Sequence, residues 1–205
     1  MHCFDITREL LSTAPYPGDP TPKLTFRADA RCGDGYTLSE LHCSVHAATH
    51  IDAPRHFVRD GKAIDAMPIS TFFGDCTVLT VGEPDILPQA LPEKGLQKRV
   101  LLRGNGILSI DAAKKLLELG VVLVGTERAS IAGEGDEATL HRLMLDRGVA
   151  ILENVDLASV PDGAYFLSAL PLRIAGAEAA PCRAVLFCVA ENAEFEQEKA
   201  QEKTF

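Results

Sequence analysis

The sequence predicts a single α/β or α+β domain with a mixed sheet and few helices. Three observations favour this class: apolar runs are short and bounded by glycine or proline, strand and helix patterns alternate from residue 98 onward, and the last third returns to strands. With 205 residues the chain suits one domain, and no stretch resembles a linker between domains. We therefore predict one domain over residues 1–205, in which the Glu- and Lys-rich tail at 191–205 is mobile or contacts a partner.

The first third of the chain predicts short strands joined by a rigid loop. Residues 2–7 alternate in hydrophobicity as a short strand does. Four prolines and a glycine between positions 15 and 22 fix an extended loop, because proline restricts its own φ and the residue before it. Strands are predicted at 23–28 and 36–45, and the second leads into a histidine-rich stretch.

The middle of the chain contains two strand patterns separated by a loop. Residues 66–73 are ambiguous, whereas 76–82 (CTVLTVG) has the β-branched content of a strand. Proline and glycine punctuate 82–95, which predicts a loop between two parts of the same domain. VLLR at 100–103 is predicted to be a buried strand.

Two predicted helices alternate with buried strands after this point. Ser109 is a suitable N-cap for a helix over 110–119 that ends at Gly120, and VVLVG at 121–125 follows as a strand. Two strands with a helix between them form a parallel pair with a right-handed crossover.

The second predicted helix leads into the strand that ends the alternating part. Asp136 is predicted to cap a helix over 137–147 that Gly148 ends, and VAILE at 149–153 is the next strand. The last third of the chain predicts strands at 163–168 and 183–190.

A histidine-rich stretch, HCSVHAATHIDAPRHF, holds four of the six histidines of the chain. One helical turn would place His46 and His50 on the same side. Pro54 forbids a continuing helix, so the residues around Asp52 are expected to be extended. A turn that leads into an extended segment can bring His46, His50 and Asp52 to one ion, with His56 slightly further on.

Imidazole and carboxylate together are typical ligands of zinc and manganese. Three protein ligands with one open position are typical of a catalytic metal. An alternative interpretation is that these histidines are surface or half-buried residues with ordinary hydrogen-bond partners. A structural metal site is less favoured, because no cysteine sits at ligand spacing in the stretch; Cys43 is the only candidate and it lies before His46.

Composition excludes several classes of partner. The formal net charge is −9 and there is no Lys/Arg-rich run, which argues against nucleic acid and anionic membranes. No apolar run reaches about 18 residues and the N-terminus lacks a signal-peptide pattern, so membrane insertion and export are not expected. The six cysteines form no CxxC motif, so we expect reduced thiols and a cytoplasmic location.

The motif HAATHIDAPRHF resembles the HxGTHxDxPxHF signature of the metal-dependent cyclase-like hydrolases, the family that includes bacterial kynurenine formamidases and isatin hydrolases. Further similar pieces follow the family order across nearly the whole chain: FDIT, YPGD, VLLR, VGTE, LPLRIAG and PCRAV. The resemblance implies a swivelling β/β/α fold. It also implies a homodimer or a higher homo-oligomer, and the proline-rich loop and the charged tail are segments long enough to reach a neighbour.

The resemblance also implies a site with two divalent ions, Zn²⁺ first and Mn²⁺ second. In the kynurenine formamidase pattern, a histidine and a glutamate twelve positions apart complete the site, as His141 and Glu153 do here. The implied metal ligands are His46, His50, Asp52, His141 and Glu153. Asp52 would be shared between the two ions, and His56 would be the catalytic acid/base.

Several residues depart from the family pattern. Ala48 replaces the usual glycine, Gly104 follows VLLR where threonine is common, and Glu127 stands in for an aspartate. Tyr16 replaces a tryptophan common in kynurenine formamidases, and the chain has no tryptophan. In its rigid loop Tyr16 either packs on its own prolines or contacts the substrate.

The function that follows is a metal-dependent amidohydrolase of a small-molecule substrate. The expected substrate is an aryl formamide such as N-formylkynurenine, which would yield kynurenine and formate in tryptophan catabolism, or a cyclic amide. Two alternatives stay open at this point: a cyclase or dehydratase that uses the same site, and a non-catalytic metal-bound protein that binds a small molecule.

Overall fold

Strands dominate residues 2–188, the part of the chain that the computed structural model describes. The strands are β1 (Cys3–Asp5), β2 (Lys23–Ala28), β3 (Leu38–His42), β4 (His50–Asp52), β5 (Phe73–Thr80), β6 (Asp85–Ile86), β7 (Arg99–Arg103), β8 (Ile107–Leu108), β9 (Leu123–Thr126), β10 (Ala150–Glu153), β11 (Gly163–Pro171) and β12 (Ala179–Cys188). The α-helices are α1 (Ile110–Glu118) and α2 (Glu137–Asp146). The predicted tail at 191–205 lies outside the described residues.

Seven strands form a closed ring. Their order is β12, β11, β5, β7, β9, β10 and β4, and β4 pairs again with β12. The four strands β5, β7, β9 and β10 are parallel, whereas the pairs that involve β4, β11 or β12 are antiparallel. β1 adds to β12 beside the ring. The predicted mixed sheet is therefore confirmed.

Side-chain alternation along the strands divides the apolar core into two clusters. Residues such as Leu101 and Leu152 belong to a cluster to which all seven ring strands contribute. Their neighbours Val100, Leu102 and Ile151 belong to a second cluster, which α1 and α2 cover. Because successive side chains of a strand point to opposite faces, β7 and β10 serve both clusters.

The two helices start differently. The hydroxyl of Ser109 accepts a hydrogen bond from the backbone N of Ala112 at 3.2 Å, as predicted for an N-cap. Asp136 does stand before α2, but its side chain makes no capping hydrogen bond, so that part of the prediction is wrong. Its backbone is helical (φ −104°, ψ −1°) instead of extended, and the carboxylate is not directed at the first turn.

Two segments differ from the predicted pattern. The predicted loop at 82–95 contains the two-residue strand β6, which pairs with β8; two residues are too few to produce a periodic pattern. The stretch at 66–73, which the sequence left ambiguous, contains the short 3₁₀ helix Ile69–Thr71 and follows another, Ile64–Ala66. No helix of the described chain is long and apolar enough to cross a membrane.

Candidate metal centre

The pair of strands β4 and β10 carries three polar side chains on its outer face. His50 lies opposite Glu153 in the register of this pair. Ile51, between His50 and Asp52, points into the apolar cluster of the ring, so its two neighbours point outward. All three polar residues are buried. Burial of polar groups on the outer face requires a covering element, and α2 provides it.

A turn positions His46 beside this pair of strands. The predicted turn into an extended segment is present, but residues 45–49 do not form a helical turn. Ala48 has φ 51°, in the left-handed region, which reverses the chain direction before β4. The rings of His46 and His50 still meet, with centroids 5.0 Å apart. His46 Nδ1 lies 3.0 Å from Asp52 Oδ1.

The helix α2 supplies His141 from the opposite side. Its Nε2 lies 3.3 Å from Glu153 Oε1 and 3.8 Å from Asp52 Oδ2. Its Nδ1 lies 2.8 Å from the carbonyl oxygen of Glu137. His141 and Glu153 are therefore in contact although they come from different elements.

Hydrogen bonds to carbonyl oxygens fix the tautomers of two histidines. A carbonyl only accepts, so Nδ1 of His50 donates to Ala48 O and Nδ1 of His141 donates to Glu137 O, each at 2.8 Å. Both Nε2 atoms then face carboxylates. This arrangement, in which the second ring nitrogen is held by the backbone, is typical of metal-binding histidines.

Buried acceptors without donors indicate a cation. Within the described chain, His50 Nε2 and both carboxylate oxygens of Asp52 are buried and have no hydrogen-bond partner. His50 Nε2 lies 3.4 Å from Asp52 Oδ1. Burying such atoms unsatisfied is costly, and a metal ion would satisfy them together. The residues present therefore fit a metal.

The electrostatics of the buried side chains lead to the same conclusion. Burial lowers the pKa of His50, but the Asp52 and Glu153 carboxylates outweigh it and raise that pKa to about 9. Burial opposes ionisation of Asp52, yet the imidazoles of His46 and His50 close to its carboxylate hold its pKa well below the ordinary value. The site favours positive charge beside Asp52, whether a proton or a metal supplies it.

Two groups of side chains have ligand atoms within 4.8 Å of one another: His46, His50 and Asp52, and Asp52, His141 and Glu153. Asp52 belongs to both. His56 belongs to neither, although its ring centroid lies 4.3 Å from that of His46 and 5.9 Å from that of His141. The structure thus brings together all six residues predicted for the metal site and its acid/base.

A cavity of about 190 Å³ opens onto five of these six residues, all except the fully buried Asp52. Tyr16 lines it and is 40% exposed. The hydroxyl of Tyr16 donates a hydrogen bond to Glu137 Oε2 at 3.2 Å. The proline-rich loop therefore reaches the start of α2 across the cavity.

Comparison with known proteins identifies the family. The model of the Cyclase family matches residues 4–132. The kynurenine formamidase of Salinibacter ruber (strain DSM 13855 / M31) is 34% identical over 206 residues, which cover 91% of this chain and 97% of that relative.

The chain belongs to the Cyclase family.

Solved structures similar to this Cyclase-family chain agree with its fold. A structure described as a potential metal-dependent hydrolase with cyclase activity has a TM-score of 0.78 at 27% identity, with 90% of this chain and 96% of that chain covered. Isatin hydrolase A from Labrenzia aggregata, bound to benzyl benzoate, has a TM-score of 0.77 at 20% identity, with 90% and 93% covered, and supports the fold alone. The predicted β/β/α class and the resemblance are confirmed.

Sequence reasoning did not single out every residue of the cavity. Asp19, Glu137 and Asn154 also line it. Each had a weak signal: Asp19 ends the YPGD loop, Glu137 begins the helix that carries His141, and Asn154 follows Glu153 in sequence. Asn154 has φ 58°, a left-handed backbone that asparagine tolerates better than most residues.

Two other residues singled out in the sequence lie elsewhere. His42, the fourth histidine of the stretch, ends the exposed strand β3 and does not line the cavity. The Glu127 carboxylate accepts hydrogen bonds from the backbone N of Gly104 at 2.7 Å and of Leu157 at 3.0 Å. Glu127 thereby connects two loops of the Cyclase fold.

Proposed function

We propose that this protein is a metal-dependent hydrolase that cleaves the carbon–nitrogen bond of a small aryl formamide, with N-formylkynurenine as the first substrate to test. The observation that supports it most is that two groups of possible ligands share Asp52, whose two carboxylate oxygens are buried without a hydrogen-bond partner in the described chain. The 34% identity to a kynurenine formamidase over nearly the whole chain supports the substrate class.

His46, His50 and Asp52 would hold one divalent ion, and Asp52, His141 and Glu153 a second. Zn²⁺ is the proposed metal because imidazole and carboxylate ligands suit it, and Mn²⁺ is the alternative. Divalent ions bound there would polarise the amide carbonyl and lower the pKa of a bound water.

His56 is the proposed acid/base. Burial lowers the pKa of His56, which keeps its imidazole neutral near pH 7 and able to accept a proton. Hydrolysis adds water across the amide: the carbonyl carbon gains an oxygen and leaves as formate, and the nitrogen gains a proton. His56 would take the proton from water and deliver it to the leaving nitrogen, while Tyr16 would contact the aromatic ring of the substrate.

The test compares metal content and hydrolysis of N-formylkynurenine in wild type and two histidine variants. His50→Ala should lose metal by mass spectrometry together with activity, because other ligands rarely restore the geometry. His42→Ala, an exposed histidine outside the cavity, should keep both. Full metal content in His50→Ala would refute the ligand assignment, and wild-type metal without amide hydrolysis would refute the activity.

Location and assembly are also proposed. A cytoplasmic enzyme would keep thiols reduced, and Cys3, Cys32 and Cys76 are indeed free thiols. A homodimer is the proposed assembly, on the basis of the family resemblance.

A further inference from the structure

The cavity has acidic residues outside the two proposed ligand groups. Asp19 and Glu137 both line it and both are half-buried. No lysine or arginine is among the residues of the described chain that line this cavity. The side of the cavity near Tyr16 is therefore negatively charged.

These two carboxylates lack a cationic partner within residues 2–188. Glu137 accepts one side-chain hydrogen bond, from the neutral hydroxyl of Tyr16 at 3.2 Å. The Asp19 side chain takes part in no hydrogen bond or ion pair of the described residues, and only its backbone N donates, to Tyr16 O. Half-buried carboxylates are partly desolvated, so a cation that enters the cavity would be attracted to them.

An independent observation marks this cavity as a place where ligands bind. His50 also lines it, and its Nε2 is a buried nitrogen without a hydrogen-bond partner in the described chain. Metal ions would bind His50 at one end of the cavity. An aryl formamide group carries no positive charge that could pair with the carboxylates of Asp19 and Glu137 beside Tyr16.

We propose that Glu137, together with Asp19, makes the enzyme selective for formamides that carry an ammonium group remote from the amide. This inference rests on the proposed function and names its substrate class more narrowly. N-Formylkynurenine has such a group on its amino-acid side chain. A different explanation for Glu137 is that an acidic residue in the first turn of α2 stabilises the helix, and that explanation predicts no discrimination between substrates.

The experiment compares N-formylkynurenine with two analogues: the desamino compound, which lacks the ammonium group but keeps the carboxylate, and 2-formamidoacetophenone, which lacks both. The measured quantity is the ratio of kcat/KM for the ammonium-bearing substrate to that for each analogue. The ratio should exceed one in the metal-loaded wild type and fall about tenfold in Glu137→Gln, as expected for loss of a charge-assisted hydrogen bond.

Two matched variants separate charge from structure. Glu134→Gln removes the same charge from the loop before α2, at a residue that does not line the cavity, and should keep the wild-type ratio. Tyr16→Phe removes the hydrogen bond to Glu137 but keeps the carboxylate, so the preference for the ammonium group should persist.

The outcomes distinguish this inference from the proposed function. Hydrolysis of the neutral analogue by wild type tests the function by itself. If that analogue is cleaved but the ratio is the same in wild type and Glu137→Gln, the selectivity inference is overturned while the formamidase activity stands. An equal fall of the ratio in Glu134→Gln would also overturn it, because the effect would then come from general charge. If no formamide is cleaved, the proposed function fails, and this inference fails with it.

Discussion

His56 differs from the other cavity histidines because it belongs to neither group of possible metal ligands. It follows Pro54 in a short 3₁₀ helix, so its position is fixed by backbone that does not contribute a ligand. Its ring nevertheless lies within 6 Å of the rings of both His46 and His141. A residue beside a metal site but free of it can move a proton without loss of the metal.

We therefore predict that His56→Ala lowers kcat by about a hundredfold or more and leaves the metal content unchanged, since general acid–base catalysis contributes on that scale. The assay is N-formylkynurenine turnover, with metal determined by mass spectrometry on the same sample. Loss of metal would make His56 a ligand, and unchanged turnover would remove it from the mechanism.

At the scale of elements, a buried arginine connects β7 to the segment that enters β5. Arg99 is buried, and its guanidinium donates to the carbonyl oxygens of Ser70, Thr71 and Asp75. Gly74 passes directly beside it: a Cβ at this position would lie 2.7 Å from Arg99 Nη1. Because three carbonyl groups hold the guanidinium, it cannot move aside without losing hydrogen bonds.

Gly74→Ala should therefore cost about 3 kcal/mol of stability, from about 1–2 kcal/mol of left-handed strain at φ +127° and the weakened hydrogen bonds of a charged group. Gly33→Ala is the control, because its φ is +98° and no atom lies within 4 Å of the added Cβ. Urea unfolding of both variants measures the difference. An equal loss in the two would show that Arg99 is not displaced.

The elements were predictable where the signal is local. The N-cap at Ser109 follows from the capping preference of serine. The strand at 23–28 follows from alternation of polar and apolar residues. Both signals act within a few residues. The turn between His46 and His50 was predicted, but its non-helical conformation was not, because the contacts that shape it come from distant residues. The hydroxyl of Thr49 donates to Asn154 O at 2.6 Å, and its carbonyl accepts from the backbone N of Cys182 at 3.1 Å. No local sequence pattern predicts hydrogen-bond partners that are so distant in the chain.

At the scale of the whole molecule, the hairpin of β2 and β3 exposes an apolar face. Leu24 lies opposite Leu41, and Phe26 follows on the same face; these side chains are 41%, 52% and 50% exposed. On the other face Arg27 and Glu40 form an ion pair. A two-stranded hairpin with little packing of its own is stable when its apolar face is covered.

We predict that the protein is a symmetric dimer that covers this face. Light scattering should give twice the 22.1 kDa mass of the chain. Phe26→Asp should shift the mass toward one chain, whereas Arg27→Ala on the opposite face should not. A monomer of wild type at micromolar concentration would contradict the dimer, and a dimer in Phe26→Asp would exclude this hairpin as the contact.

The composition of the site was predictable, but its arrangement was not. Residue type and spacing indicated His46, His50 and Asp52, and the resemblance added His141 and Glu153. The register that sets His50 opposite Glu153 is a pairing between strands far apart in the chain. The presence of both Asp19 and Glu137 in the cavity likewise depends on the proline-rich loop and α2, which are far apart in sequence and meet only in the folded protein.

Both neighbours of β4 in the ring are synthesised much later than β4 itself, and β10 (Ala150–Glu153) is the earlier of the two. The second partner of β4, Ala179–Pro181, belongs to the last described strand. During translation the histidine motif therefore leaves the ribosome long before the strand that closes the ring exists. A nascent chain can present His46, His50 and Asp52 to solvent, but their enclosed geometry requires the strand that begins at Ala179. A premature stop codon ahead of Ala179 would therefore leave a polypeptide with the motif but without the closed ring of strands.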